Sequence, residues 1–305
     1  MTDYVIGIDA GGTKSRACVF DLQGNLLFCH VTGQGNFAAD PDDAWNNVIL
    51  AADTCVRDRG KGLQYLLLGA AGLHGSGLEH SLEDKLKNRY GCSVKVVDDG
   101  TLALYGNLKG QDGVLVIAGT GSVVYGKSGD TVLRMGGWGQ ILDDRGSGYD
   151  IALNALKELV RGYDAGRKLS DMEKELLRQM DCSSVHVLPA CLKNASKREL
   201  GALSRVIAFY CDKGDGNAER ILNNAGQKLA ELAIAASKRL ELSKPAVAVS
   251  GSILKKCQPV YETFWNTWRE KNQNFEKADE EELVEKAVLW FYQNEKTFNE
   301  RREKK

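Results

Sequence analysis

Residues 5–17 read VIGIDAGGTKSRA, and residues 114–126 read VLVIAGTGSVVYG. Each stretch is an apolar, β-branched run, a short turn of small residues and a second strand-forming run, which predicts a β-hairpin. A pattern that recurs in both halves of a chain indicates an internal structural repeat. We therefore expect two related domains, each of which opens with one of these hairpins.

The segments around the first hairpin predict an α/β domain. Apolar runs at residues 4–8, 16–20 and 26–31 predict a three-stranded meander, and helix and strand patterns then alternate. The second half repeats the meander, becomes helical and returns to a strand at residues 246–249. We expect two α/β domains, 1–110 and 111–305, each a mixed five-stranded sheet flanked by helices. The second would carry a helical insertion, and the last helix would be able to pack back on the first domain.

Charge and composition restrict the ligands of the chain. Its 305 residues carry 40 Lys and Arg against 41 Asp and Glu, so no net field draws it to nucleic acid or to an anionic membrane. Its apolar runs are too short to span a membrane and its N-terminus lacks a signal-peptide pattern, so we expect a cytoplasmic protein. Eight cysteines without a CxxC pair and four histidines without metal-binding spacing indicate reduced thiols and no dedicated zinc or iron site.

The turn of the first hairpin has the composition of a phosphate-binding loop. Gly11 and Gly12 can adopt positive φ and let backbone amides approach an anion, while Thr13 and Lys14 add a hydroxyl and a positive charge. Asp9 would repel bare phosphate, so it fits a direct or water-mediated contact to Mg²⁺. By itself the motif is equally consistent with an ordinary tight hairpin.

The second turn supports the phosphate interpretation. IAGTGS, residues 117–122, again ends a buried strand in small residues whose amides and hydroxyls can hold phosphate. Two such turns at equivalent places in a repeat predict a nucleotide held between two halves of the protein.

Two further motifs carry polar groups suited to an acceptor. Asp98 and Asp99 end a predicted parallel strand, where one carboxylate can take the proton of an attacking hydroxyl, although both can instead cap the helix that follows. GGWGQILDDRGSG, residues 136–148, is too long for a turn and carries Asp143 and Asp144. A carboxylate fixed in such a loop can bind sugar hydroxyls, and the alternative is a structural interdomain loop.

The combination of GIDAGGTK, VVDDG, IAGTGS and GGWGQILDDRGSGYDIALNAL resembles the BadF/BadG/BcrA/BcrD-type ATPase family, and within it the N-acetylglucosamine kinases. The resemblance covers nearly the whole chain and weakens in the helical insertion and after Gln258. It implies two actin-like, ribonuclease-H-like domains with ATP and sugar in the cleft between them.

The resemblance also implies roles for single residues. Asp9 corresponds to the metal-associated acid and Asp99 to the base. The phosphate loops correspond to Gly11, Gly12, Thr13, Thr120, Gly121 and Ser122. On the sugar side lie Asn36, Gly72 and Asp144, and the turn beside adenosine corresponds to Gly251 and Ser252.

The chain departs from the family pattern at two places. Arg145 stands where the family usually has glutamate, so we expect it at the sugar site, where it would pair with the carboxylate of N-acetylmuramic acid if it points inward. Bulky Trp290 and Phe291 replace small residues of the family's C-terminal helix, so the packing on the adenine side is expected to differ.

These patterns predict a kinase that uses ATP and Mg²⁺ to phosphorylate an amino sugar, with N-acetylglucosamine first and N-acetylmuramic acid or glucosamine as other acceptors. One alternative is an ATPase of the same family that activates a partner enzyme, which would need cysteine ligands for an iron–sulfur cluster. The other is a sugar-binding regulatory module. We expect a homodimer, and an aromatic stripe at residues 261–268 is typical of a core or a dimer surface.

Overall fold

The computed structural model describes residues 3–57, 59, 61–279 and 283–303, the last seven of these by backbone alone. It divides into two compact units. The first unit comprises the chain up to Gln111 together with the segment from Ala278 onward, and the second unit is Asp112–Lys277.

The elements follow one another as the repeat predicts. The first unit begins with β1 (Tyr4–Ala10), β2 (Ser15–Asp21), β3 (Leu26–Thr32), α1 (Pro41–Val56), β4 (Leu63–Ala70), α2 (Glu79–Tyr90), β5 (Ser93–Asp98) and α3 (Asp99–Leu108). The second unit begins with β6 (Gly113–Ala118), β7 (Ser122–Ser128) and β8 (Thr131–Gly136). It continues with α4 (Gly148–Asp164), α5 (Asp171–Gln179), α6 (Leu188–Asn194), α7 (Lys197–Ala202), α8 (Ser204–Asp212) and α9 (Gly216–Arg239). It ends with β9 (Ala246–Ser250), α10 (Ser252–Lys256), α11 (Gln258–Lys271) and β10 (Glu276–Lys277), and α12 (Ala287–Glu303) closes the first unit.

Both units contain a five-stranded mixed sheet with the same strand order. The first sheet runs β3-β2-β1-β4-β5 and the second β8-β7-β6-β9-β10. In each, the meander is antiparallel and the two later strands join in parallel. In the described part of the chain, α1 is the single helix between β3 and β4, whereas α4–α9 occupy the equivalent place between β8 and β9. The predicted α/β fold class with its helical insertion is confirmed.

The first sheet is covered on both faces. Alternate residues of a strand point to opposite faces, so Ile6 and Ile8 of β1 pack with the helices α1 and α2, while Val5 packs with α3 and α12. The rings of Trp290 and Phe291 pack against the ring of Tyr105 of α3 in tilted arrangements. These two bulky, partly buried residues therefore pack against the core of the first unit.

Two helices of the second unit begin with capping boxes, and the aromatic stripe is part of a core. Ser170 and Ser196 each accept a hydrogen bond from the backbone of the residue three places on and complete a capping box, at the starts of α5 and α7. Phe264, Trp265 and Trp268 of α11 are buried in the second unit. The stripe thus packs inside this unit.

Four cysteines are paired, so the prediction of reduced thiols is wrong for them. Cys18 and Cys29 lie opposite one another on the antiparallel strands β2 and β3, with Cα atoms 4.2 Å apart, and form a disulfide. Cys182 and Cys191 form a second disulfide. Short local spacings do not indicate the Cys18–Cys29 pair, because the register of β2 and β3 brings the two residues together. Among the described residues, no helix has the length and apolar character needed to cross a bilayer.

Candidate active site

Three polar loops leave the first sheet at the same edge. The parallel register places Ala10 of β1 opposite Ala70 of β4, and Ala70 opposite Asp98 of β5. The carboxyl ends of parallel strands are where open α/β sheets bind their ligands. The first hairpin, the Gly72 loop and Asp99 are therefore brought together by the strand register.

The first hairpin is tight and open to solvent. The Gly11 amide donates to the carbonyl of Lys14 at 2.9 Å, and Gly12, Thr13 and Lys14 are exposed. Neither Gly11 nor Gly12 has a positive φ, so that part of the prediction is wrong. A Cβ built on Gly12 would have no neighbour within 4 Å. The absence of a side chain there leaves the backbone approachable, which is the property that an anion site needs.

Asp9 lies at the end of β1 in an unusual electrostatic setting. Burial raises its pKa to about 6, helped by the charges of Glu285 and Asp99 and opposed by Arg16 and Lys14. No hydrogen bond to its carboxylate is formed by the described residues. Its oxygens are hard donors without a partner in this part of the chain, and a carboxylate of this kind fits Mg²⁺.

Glu285 supports the same hairpin and was missed by the sequence reading. Its side chain is fully buried, and it accepts hydrogen bonds from Nε and Nη2 of Arg16, the second at 3.0 Å. Arg16 faces Asp9 across the β1–β2 pair. An acidic side chain in an apolar stretch of sequence is ordinarily expected at the surface. The structure instead has a 3₁₀ turn, Val284–Lys286, which turns the glutamate inward.

The neighbours Asp98 and Asp99 have separate roles. Asp98 caps α3, because its carboxylate accepts from the Thr101 amide at 3.0 Å and from the Thr101 hydroxyl at 2.7 Å. Asp99 is exposed at the first helical residue, where its Oδ1 accepts from the Gly100 amide at 2.9 Å. The capping alternative therefore describes Asp98 and leaves Asp99 at the surface of the site.

Asn36 and Gly72 meet beside the first hairpin. The Gly35 amide donates to the Gly11 carbonyl at 2.8 Å, and this holds the loop after β3 against the turn. Asn36 Oδ1 accepts from the Ala38 amide at 3.0 Å, while its Nδ2 donates to none of the described residues. Gly72 has φ +81°, and a Cβ there would overlap Asn36 and Ala38, so only glycine fits.

The loop at residues 143–147 forms hydrogen bonds to the second hairpin and supports it. The Gly119 amide donates to the Gly121 carbonyl at 2.9 Å and closes the turn. Ser122 is buried, with its amide donating to Asp144 Oδ1 at 3.2 Å and its hydroxyl to the Arg145 carbonyl at 2.8 Å. These contacts use the polar groups of Ser122 inside the unit and leave Thr120 exposed at the turn.

Asp144 and Arg145 have protein partners. Asp144 is only 2% exposed, has φ 62°, and forms an ion pair with Lys197, Nζ to Oδ2 at 2.6 Å. Arg145 is exposed, and its Nε donates to Asp143 Oδ1 at 2.9 Å. The structure therefore places both residues beside the second hairpin. Lys197 had no signal in the sequence beyond its position after the capping residue Ser196.

A pocket of about 460 Å³ adjoins this hairpin within the second unit. Gly119 and Thr120 line it together with Ser252 of the turn after β9. Gly251 has φ +87°, and a Cβ on it would overlap the Ala118 carbonyl, so glycine permits the close approach of the two strand ends. The predicted phosphate loop and the predicted adenosine turn thus line one pocket.

The described residues contain no group of three or more His, Cys, Asp or Glu side chains that would enclose a metal ion. A Mg²⁺ site in proteins commonly uses one or two carboxylates, with phosphate oxygens and water as the other ligands. The single carboxylate of Asp9 agrees with such a site.

The repeated five-stranded sheet, with a glycine hairpin after the first strand of each copy, agrees with the actin-like fold that the sequence motifs imply. The chain belongs to the BadF/BadG/BcrA/BcrD ATPase family, whose model matches residues 6–282. The family predicted from the motifs is thereby confirmed.

The chain is also similar to named proteins. An N-acetylmuramic acid/N-acetylglucosamine kinase of Clostridium acetobutylicum is 28% identical over 86% of this chain and 89% of its own length. An N-acetyl-D-glucosamine kinase of Dictyostelium discoideum is 26% identical over 83% of this chain and 86% of its own. The solved structure of a Chromobacterium violaceum protein proposed to be an N-acetylglucosamine kinase has TM-score 0.71 and 20% identity. That alignment covers 95% of this chain and 99% of the other, and at this identity it shows the fold.

Proposed function

We propose that this chain is a sugar kinase that transfers the γ-phosphoryl group of ATP to a hydroxyl of an amino sugar, with N-acetylglucosamine as its acceptor. The observation that carries the proposal is the group of side chains at the carboxyl edge of the first sheet. There Asp99 is exposed and lies close enough to Asp9 for its charge to act on the pKa of that carboxyl. Family membership and the named relatives support the same activity.

The pocket of the second unit supports a nucleotide as donor. Its apolar lining includes Ile151, Leu222 and Ile253, which suit the faces of a base. The cationic side chains at this pocket are exposed and form no ion pair with any described residue: Arg198, Arg205 and Lys256. An apolar floor with unpaired cations beside a glycine hairpin fits a base linked to phosphates.

Asp99 is suited to act as the general base. Its carboxylate is exposed and its orientation is fixed by the Gly100 amide, so it can take the proton from an acceptor hydroxyl as the oxygen attacks phosphorus. Asp9 would hold Mg²⁺, directly or through water. When bound, the ion neutralises the charge that develops on the phosphates.

The acceptor side is supported by Asn36 and by the loop at Gly72. The free Nδ2 of Asn36 can donate to a sugar hydroxyl, and hydroxyl ligands are oriented by a few such polar groups. N-acetylmuramic acid remains an alternative acceptor through Arg145, which is exposed although its Nε is used by Asp143. Glucosamine is the other alternative acceptor, and because it lacks the acetyl group, comparing it with N-acetylglucosamine tests whether that group is needed.

Sugar-dependent release of ADP tests the proposal. We would measure it with N-acetylglucosamine, N-acetylmuramate, glucosamine, N-acetylmannosamine and glucose, and expect the highest kcat/KM with N-acetylglucosamine. Asp99→Asn should reduce kcat by about 100-fold or more, because it removes the base. Asp98→Asn is the matched control and should stay within a few-fold of the parent, because asparagine caps a helix as well as aspartate does.

Two results would reject the kinase assignment. One is ATP hydrolysis that no sugar in the panel stimulates, which would favour a non-kinase ATPase. The other is full sugar-dependent activity in Asp99→Asn.

A further inference from the structure

Lys197 lies directly over the turn of the second hairpin. A Cβ built on Gly121 would come within 2.9 Å of its Nζ and 2.8 Å of Asp144 Oδ1. Glycine at position 121 therefore leaves the space that the lysine and its carboxylate partner occupy. The sequence motif of the turn gave no indication of this ammonium group, because Lys197 lies far from it in the chain.

The backbone around Lys197 is fixed by local structure. Ser196 caps α7 and exchanges hydrogen bonds with Glu199, and this sets the first turn of the helix. A Cβ on Gly201 would lie 3.0 Å from Thr120 Cγ2, so α7 packs closely against the hairpin. The cap at the start of α7 and the close packing of Gly201 on Thr120 together fix the position of the helix that carries Lys197.

The ammonium group of Lys197 retains capacity for a ligand. It has three N–H donors, and Asp144 Oδ2 at 2.6 Å occupies one direction. The side chain is 36% exposed, whereas that of Asp144 is 3% exposed. The pair therefore presents its cation, and not its carboxylate, to the solvent side of the hairpin.

We propose that Lys197 contacts the phosphate groups of the bound nucleotide at the second hairpin, and that Asp144 is the residue that positions it. The inference rests on the proposed function for the presence of a nucleotide. A buried carboxylate at this turn would repel phosphate, and the lysine both cancels that charge and supplies charge-assisted donors. Asp144 then acts through Lys197 and through the Ser122 amide.

Binding of ADP and of adenosine, measured by calorimetry on the full chain with Mg²⁺ and without sugar, tests the inference. Lys197→Met should weaken ADP by about tenfold or more and leave adenosine within about twofold, because only ADP carries phosphate. Lys193→Met is the matched control: this lysine is exposed on α6 and forms no ion pair with the described residues, so ADP affinity should not change.

An Asp144→Asn background separates phosphate contact from charge cancellation. If Lys197 touches phosphate, Lys197→Met also weakens ADP when residue 144 is asparagine. If it only neutralises Asp144, the second substitution has no effect in that background, and the inference is wrong. Equal losses for ADP and adenosine would likewise overturn it, since they indicate a structural role.

The parent protein distinguishes this inference from the proposed function. A parent that binds ADP and shows sugar-dependent turnover, together with a Lys197→Met variant of equal ADP affinity, rejects the inference alone. A parent that binds no ADP rejects the ATP donor, and the role of Lys197 with it.

Discussion

The two glycine hairpins occupy equivalent places in the two sheets but differ in how charge is placed around the turn. At the first hairpin, Asp9 ends the strand without a hydrogen bond from the described residues, and the nearby Arg16 is directed to the buried Glu285. At the second, Asp144 is buried and the exposed member of its ion pair is Lys197. One turn offers a carboxylate and the other offers an ammonium group.

This difference shows how one repeated unit is adapted to two tasks. A carboxylate that accepts no hydrogen bond from the described residues suits a metal ion. An ammonium group beside an exposed glycine turn suits phosphate. Glu285 makes the first arrangement possible, because it gives Arg16 a partner other than Asp9. The side chains beneath each turn, more than the glycines within it, determine the difference between the two.

The largest expected change in stability comes from breaking the two ion pairs, which differ in burial. Glu285→Gln removes a fully buried charge from Arg16 and should lower the free energy of unfolding by about 3 kcal/mol. Lys197→Met leaves the buried carboxylate of Asp144 with the Ser122 amide but without its ammonium partner. It should lower the free energy of unfolding by about 1–2 kcal/mol, less than Glu285→Gln, because water can reach the position that the half-exposed lysine leaves. Urea denaturation at pH 7 would measure both.

An internal control uses a pair that is exposed at both ends. Arg89→Gln removes the contact to Asp53, and the change should stay below about 1 kcal/mol. Equal losses in Glu285→Gln and Lys197→Met would contradict the distinction between the two hairpins.

The next effect concerns the ionisation of Asp9. Its pKa is raised from 3.8 to about 6, chiefly by burial, so the folded protein binds this proton more tightly than the unfolded chain. The resulting stability is fully present below pH 3.8 and is lost as the pH rises to about 6. In metal-free buffer at pH 8, Asp9→Asn should therefore be more stable than the parent, by up to about 3 kcal/mol.

A pH series with a chelator checks the sign. The difference between Asp9→Asn and the parent should shrink as the pH falls from about 6 towards 3.8. Asp99→Asn, at an exposed carboxylate, should change stability by less than about 0.5 kcal/mol. If Asp9→Asn is less stable than the parent at pH 8, burial is not the main influence on the pKa of Asp9.

The sequence predicted the fold better than it predicted the charged contacts. The hairpins, the meanders and the capping boxes at Ser170 and Ser196 follow from neighbours in the chain, and all are present. Glu285 meets Arg16 across 269 positions, and Lys197 meets Asp144 through packing of α7 on a turn. Local sequence patterns do not indicate such contacts, because the partners are distant in the chain. They also gave no indication of the cross-strand pair Cys18–Cys29.

The last comparison concerns the glycines themselves. A methyl group at Gly121 would lie 2.8 Å from Asp144 Oδ1, so Gly121→Ala should lower the free energy of unfolding by about 1–3 kcal/mol. At Gly12 the space is empty and φ is not positive, so Gly12→Ala should stay within about 0.5 kcal/mol of the parent. Thermal and urea unfolding of both variants would measure this difference.

The same two variants connect the backbone to binding. If the amides of the first hairpin are approached by phosphate, the methyl group of Gly12→Ala occupies that approach, and ADP affinity should fall while stability is kept. Gly121→Ala would instead lose stability and ADP affinity together, since its methyl group displaces Lys197 and Asp144. A Gly12→Ala protein with parental ADP affinity would mean that the open turn of the first hairpin is not a phosphate site.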